Sequence, residues 1–282
     1  MSIIIDHLSY IYDIGTPYER IALANINLVI NDNEFVGIIG HTGSGKSTLI
    51  QHLNGLLKPT RGSVYYNGAD IFDKDYSKKQ LRREVGMVFQ YPEYQLFENS
   101  VIEDVKFGPR NLGMSNLDVD ICSYDALKKV GIPDSLIDAS PFKLSGGEQR
   151  RVAIAGVLAM KPKVLILDEP TAGLDPKGRD TILQLIAKLR KEENITVILV
   201  SHSMEDVAKY ADRLVVLNEG MVYAEGTPQK VFEQYAKLEK IGLAAPQTVY
   251  LINKLRENGI EISGNVIEPK MAACEIAKVL SY

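Results

Sequence analysis

The nine residues Gly40-His41-Thr42-Gly43-Ser44-Gly45-Lys46-Ser47-Thr48 follow an apolar run and open a helix-forming stretch. Glycines in such a loop let successive backbone N–H groups turn inward, and the helix behind them adds the positive end of its dipole. The result is a cradle for phosphates. In it Lys46 is placed to reach the β- and γ-phosphates of a nucleotide, and the Ser47 hydroxyl to ligate Mg²⁺. A second run, Val164–Leu167, delivers Asp168 and Glu169. Beside a phosphate loop, Asp168 is a candidate to hold Mg²⁺ through water, and Glu169 to polarise the attacking water. An isolated Asp-Glu pair after a core strand would more often be a surface or capping pair. A mononucleotide kinase or a small GTPase satisfies both motifs equally well, so a third must decide.

That third motif is Leu144-Ser145-Gly146-Gly147-Glu148-Gln149. Ser145 and Glu148 have capping-box spacing and predict a helix running to about Met160. Two glycines and a capped helix need no ligand. The same exposed amides at a positively polarised helix start are nevertheless a good anion site.

These residues need elements to position them. Phe35–Gly40, Val164–Asp168 and Ile195–Val200 are continuous apolar runs, which predicts strands buried on both faces of a parallel sheet. Val85–Phe89 reads as a further strand, with Gln90 at its end. Residues 3–10 and 22–30 differ: Ile26, Leu28 and Ile30 alternate with Asn25, Asn27 and Asn31, predicting an antiparallel β-subdomain with one wet face. Val64–Tyr66 before Asn67-Gly68 reads as a strand and turn, and Leu214–Leu217 with Met221–Ala224 as a closing hairpin. Helices are predicted over about Lys46–Leu57, over 101–112 and 118–130 within a separate helical lobe, and from Pro176 into Lys188–Glu193. From Pro228 onward the pattern is helical, broken at Gly242, Pro246, Gly259 and Gly264.

The 282 residues allow one large α/β domain and an appendage. With 32 basic and 36 acidic residues the net charge is −4, which gives no electrostatic reason to expect a nucleic acid or an anionic lipid surface. Cys122 and Cys274 lie far apart in no metal-ligand spacing, so neither a disulfide framework nor a zinc site is expected, and a reducing cytoplasm is. Met1–Tyr12 carries Asp6 and has no basic patch before an apolar core, so no signal peptide is expected. No apolar run approaches the roughly 20 residues that cross a bilayer. Work at a membrane would therefore need another chain as anchor.

The string LSGGEQRR, about twenty residues before LILDEP, resembles the signature motif of ABC (ATP-binding cassette) proteins. The likeness implies a P-loop NTPase of the α/β class: a mostly parallel sheet core, an antiparallel β-subdomain and a helical subdomain at about 91–160, together spanning 1–230. Residues 231–282 would form a small C-terminal helical dimerisation domain. In that family, Ser145, Gly146, Gly147 and Glu148 press on the γ-phosphate of ATP held by a partner cassette. Gln90 resembles the glutamine that senses Mg²⁺ and the membrane partner, and Asp175, in Ala172-Gly173-Leu174-Asp175, the D-loop residue at the dimer interface. His202 resembles the switch histidine that contacts the γ-phosphate. Tyr12 stands where an aromatic stacks on adenine, with Tyr10 a rival. The fifth signature position is Glu148, where many members have glutamine.

Relatives that act on DNA or the ribosome carry long coiled-coil insertions or two cassettes, and neither is present, which favours a transporter subunit. A soluble cassette acting on nucleic acid or the ribosome is the alternative. Tyr91–Phe97 and Ser100–Asn111 resemble energy-coupling factor (ECF) importers, whose ATPases carry an extra short helix here. Tyr94, Leu96 and Phe97 would then contact a membrane subunit. Further likeness at Ser140–Ser145, Ala155–Met160 and Gly173–Arg179 is to the second of the two ATPases of those complexes. The resemblance implies ATP and Mg²⁺ as cofactors, and a second ATPase, a paralogue or a second copy, as partner. It also implies a transmembrane coupling protein, a substrate-binding membrane subunit that selects a vitamin or transition-metal ion, and a peripheral seat on the cytoplasmic face of the cell membrane.

Overall fold

The computed structural model describes residues 3–260, 262, 264 and 266–280. Strands β1 (Ile3–Tyr12), β2 (Arg20–Ile30), β4 (Arg61–Tyr66) and β5 (Ala69–Asp70) form an antiparallel sheet in the order β2-β1-β4-β5. In β2, Ile26, Leu28 and Ile30 are buried while Asn27 and Val29 are exposed, the expected alternation of a sheet with one wet face. Asn67 and Gly68 both take positive φ, 55° and 81°, which closes the turn between β4 and β5 in two residues.

The second sheet is built from β3 (Phe35–Ile39), β6 (Val85–Val88), β7 (Val164–Asp168), β8 (Thr196–Val200), β9 (Arg213–Asn218) and β10 (Met221–Gly226), in the order β10-β9-β3-β8-β7-β6. All neighbours are parallel except the β9–β10 hairpin. Every residue of β3, β6, β7 and β8 is buried, as strands covered on both faces must be. Strand alternation sorts the side chains between two cores. Val36, Ile38, Ile166 and Ile198 face the antiparallel sheet and α1 (Lys46–Leu53). Phe35, Ile39, Leu165, Leu167 and Leu199 face the helices on the other side.

Those helices are α3 (Val101–Asn111), α4 (Asn116–Lys129), α5 (Gly146–Leu158), α6 (Pro176–Glu193) and α7 (Met204–Tyr210), with α2 (Lys78–Glu84) leading into β6. The helical lobe is less separate than its sequence suggests. Val101, Val105, Leu127 and Ile154 belong to the same apolar cluster as Leu165 and Leu167 of the sheet, because α5 packs on both. Helix α1 ends at Leu53, four residues short of the expected Leu57. Gly55 lies in the left-handed region at φ 68°, where a helix stops, and the Asn54 side chain donates through Nδ2 to the Val85 carbonyl.

The C-terminal stretch folds as α8 (Pro228–Glu233), α9 (Tyr235–Lys240), α10 (Gln247–Glu257) and α11 (Pro269–Leu280). Phe232, Leu238, Val249 and Ile267 join the main core, while Ile252, Ile262, Val266 and Ala272 make a small core of their own. Among the described residues no helix is long and apolar enough to cross a membrane.

The β9–β10 hairpin also braces the phosphate loop. Gly220, at φ 75°, donates its N–H to the Ser44 carbonyl at 3.1 Å and accepts from the Ala24 amide at 2.8 Å. A Cβ there would sit 2.7 Å from the Ala22 carbonyl oxygen, a backbone atom that cannot step aside. Gly220→Ala is therefore expected to cost about 2 kcal/mol or more in denaturant unfolding, since a positive φ and a backbone clash combine. Nucleotide affinity should fall with it.

Candidate nucleotide site

The parallel register sets the site. Ile38 pairs with Val200 and Asp168 also pairs with Val200, so β3, β8 and β7 end side by side. Their carboxyl ends carry the loop from Gly40, Ser201-His202 and Asp168-Glu169. In open α/β sheets this edge is where ligands bind.

The loop is shaped by close approach. A Cβ at Gly40 would lie 2.4 Å from both the Leu217 carbonyl oxygen and the Ser44 hydroxyl, so only glycine fits. Gly43 and Gly45 take φ of 84° and 103°, and α1 starts after Gly45 with no side chain capping it. Its first amides are left for an anion. Lys46 is buried and donates its ammonium to the carbonyls of Gly40 at 2.7 Å and His41 at 3.0 Å. Burial lowers its pKa, while Glu169 and Asp168 pull the other way. The charge is thus held at the centre of the loop. His41 bonds Asn218, Thr42 is exposed, and Arg20 donates to the Gly43 carbonyl.

Asp168 is buried and hydrogen-bonded to Ser47. Burial raises its pKa, with Glu169 adding to the effect and the Ser47 bond opposing it. Glu169 sits beyond the strand end at φ 48°, a left-handed backbone unusual for a non-glycine residue. Its amide donates to the Val200 carbonyl at 3.0 Å. Each carboxylate oxygen has one partner: Gln90 Nε2 donates to Oε2 at 3.0 Å, and His202 Nε2 lies 2.8 Å from Oε1. Three residues from three strand ends are thereby brought together. A carboxylate oriented from both sides in this way can align a water for attack on a phosphorus.

Tyr12 and Tyr10 meet edge to face at 4.8 Å. Tyr10 is also edge-on to the buried His52 at 4.8 Å and packs on the β-sheet core, whereas the Tyr12 hydroxyl lies 3.2 Å from the Thr48 hydroxyl. Tyr12 is the ring tied to the loop. Asp175 caps α6, accepting from the Gly178 amide at 2.6 Å. Ser145 and Glu148 form the expected capping box at the start of α5. Among the described residues no hydrogen bond joins Ser145–Glu148 to the phosphate loop or to Glu169.

One residue pair was not anticipated from sequence. Arg150, only 2% exposed, donates to both oxygens of Glu93 at 2.8 and 3.0 Å, and to the carbonyls of Pro170 at 3.0 Å and Ala172 at 2.8 Å. It ties α5 to the short 3₁₀ turn Pro92–Gln95 and to the loop after Glu169. The available signal was its spacing: Arg150 shares a helix face with buried Ala153 and Ile154, where a cation must have a buried partner.

A family model described as ABC transporter matches residues 23–172. The chain belongs to the ABC transporter family. As an ABC ATPase it binds and hydrolyses ATP. The energy-coupling factor transporter ATP-binding protein EcfA2 of Caldanaerobacter subterraneus subsp. tengcongensis is 55% identical over 99% of this chain and 98% of its own length. EcfA2 of Clostridium acetobutylicum is also 55% identical, with the same coverage. Among solved structures, cbiO1 from Clostridium perfringens, part of the ABC transporter complex cbiONQ, superposes with a TM-score of 0.74 at 42% identity, covering 85% of this chain and 93% of that one. A dimeric cassette in a post-hydrolysis state with ADP and Pi gives a TM-score of 0.71 at 33% identity, covering 80% of this chain and 98% of that one.

Replacing Glu169 by Gln is expected to leave ATP binding in place and to slow turnover by roughly 10²–10⁴-fold, the usual range for losing a general base. Lys46→Ala should instead lose nucleotide affinity, measured by equilibrium binding. Asp168 makes a separate prediction. Its carboxyl is raised above the ordinary value, so the ligand-free fold is favoured by protonation at low pH and loses that advantage as pH rises through the folded pKa. Asp168→Asn should accordingly raise the melting temperature of the nucleotide-free chain at neutral pH, read by thermal unfolding. Hydrolysis should be lost in the same variant.

Proposed function

We propose that this chain is the ATP-driven motor of an energy-coupling factor importer, a peripheral subunit on the cytoplasmic face of the cell membrane. It pairs head to tail with a second ABC ATPase, a paralogue or another copy. The observation that carries the reading is the grip of Gln90 on Glu169, because Gln90 leads directly into the segment that walls an apolar groove. Leu96, Phe97, Phe107 and Met160 line this groove of 640 Å³, and it is a fitting seat for a coupling helix of a transmembrane protein. Leu96 is buried at its edge and Phe97 is 57% exposed in it, whereas Tyr94, 84% exposed, stands beside it against Tyr91. A docked helix would thus press on residues continuous with the water-orienting glutamine. Arg150 carries the same segment's position to α5.

In the catalytic step, two cassettes close over two ATP molecules. The amides of Gly146 and Gly147 and the Ser145 hydroxyl of each chain meet the γ-phosphate held by the other, with Asp175 at the seam. Tyr12 stacks on the adenine, the amides from Gly40 to Thr48 hold the phosphates, and Lys46 neutralises charge between them. Glu169 orients the attacking water, and His202 contacts the γ-phosphate. Ser47 and the Gln90 side-chain oxygen would hold Mg²⁺ directly and Asp168 would hold it through water, hard oxygen donors that suit this cation. When bound it offsets the charge on the transferring phosphate. The near-balanced charge gives no electrostatic reason to expect a nucleic acid as partner. A separate substrate-binding membrane subunit selects the solute, a vitamin or a transition-metal ion.

A tagged chain purified gently from detergent-solubilised native membranes should bring with it a polytopic membrane protein and a second cassette. Phe97→Glu should abolish recovery of the membrane protein while ATP affinity stays within twofold. Recovery of only nucleic-acid or ribosomal proteins would leave the ATPase intact and refute the importer.

A further inference from the structure

The fifth signature position is occupied by a carboxylate, and the structure places it on the donors of its own turn. Glu148 Oε2 accepts the Ser145 hydroxyl at 2.6 Å and the Ser145 amide at 2.8 Å, while the Glu148 amide donates back to the Ser145 hydroxyl at 3.4 Å. The 2.6 Å contact is in the range of a charge-assisted O–H···O⁻ bond. These Ser145 bonds hold the Glu148 carboxyl below its ordinary value, so it is anionic at neutral pH. The amides of Gly146 and Gly147 are the first two of the helix and have no intrahelical acceptor. A Cβ at either glycine would meet nothing within 4 Å, so the turn is open to an incoming group.

We infer that Glu148 sets the affinity of this signature turn for phosphate, by holding in advance the Ser145 hydroxyl that a γ-phosphate on the facing cassette needs and by placing a like charge beside it. This rests on the two-cassette reading above. An arriving γ-phosphate must displace the carboxylate from Ser145 or share the turn with it. A glutamine has the same reach and can complete the same capping box, but it is neutral and a weaker acceptor. The chain's own side chain therefore competes with the ligand, and closure needs more ATP than a glutamine-bearing turn would require.

The test uses the hydrolysis-blocked Glu169→Gln chain with the second cassette that co-purifies with it, or alone if it pairs with itself. Association is followed by sedimentation against ATP concentration. Glu148→Gln is expected to lower the half-maximal ATP concentration by on the order of tenfold, the difference between a charge-assisted and a neutral competitor. Its nucleotide-free melting should fall slightly, because the neutral side chain completes a weaker capping box. Glu148→Ala should also lower that concentration, although it melts earlier. A purely structural cap predicts the opposite sign for alanine. In a Ser145→Ala background the effect of Glu148→Gln should shrink to the part due to the like charge, because the contested hydroxyl is gone while the carboxylate stays on the Ser145 amide. An unchanged or higher half-maximal concentration in Glu148→Gln overturns the inference alone. Absence of any ATP-driven association, with Glu148 intact or replaced, overturns the two-cassette reading and the inference together.

Discussion

Parallel pairing of β3 with β8 and of β8 with β7 is the constraint on which the rest of the molecule depends. Parallel strands in register end at one edge, so whatever follows each strand is delivered to the same place. Here that edge receives a phosphate loop, an Asp-Glu pair and a histidine, with a glutamine from β6 one strand further out. The strands tolerate no polar face, since both sides are covered. Their sequence is accordingly apolar up to the residue that does chemistry and polar immediately after it.

The edge holds charge in two ways. Lys46 and Asp168 are buried, and burial opposes ionisation of each: the ammonium's pKa falls and the carboxyl's rises. Each is partly compensated, by loop carbonyls and by Ser47 respectively, and the remaining cost is the form in which the site stores readiness for a polyanionic ligand. Glu169 is held differently. Its backbone is in the left-handed region and its two oxygens are tethered to Gln90 and His202, so its orientation follows from elements that are distant in sequence. Moving either tether moves the carboxylate.

Arg150 extends this logic away from the edge. A guanidinium buried to 2% exposure is stable only because Glu93 and two backbone carbonyls satisfy it. The clamp bonds the start of α5 to the segment after Gln90 and to the loop after Glu169. That segment also walls the apolar groove, so a continuous stretch of chain from Gln90 to Phe97 touches both the carboxylate and the groove.

How much of this was legible before the structure varied by element. The motifs from Gly40 to Thr48 and at Asp168-Glu169, the capping box at Ser145 and the turn at Asn67-Gly68 are local. Glycine freedom, capping geometry and alternating burial act over a few residues, so composition and spacing alone determined them, along with a parallel sheet flanked by helices. The end of α1 lies short of the expectation because an apolar pattern runs past Gly55, whose positive φ stops the helix where a Cβ would sit 2.9 Å from Leu81 and where the Asn54 side chain bonds to β6. Tertiary structure alone decided which partners meet: Gln90 with Glu169, Arg150 with Glu93, Tyr12 rather than Tyr10 with Thr48, and the shared core beneath the helical lobe. Each of these pairs joins residues that neither helical nor strand periodicity relates. Only the register of the sheet and the packing of α5 bring them within bonding distance.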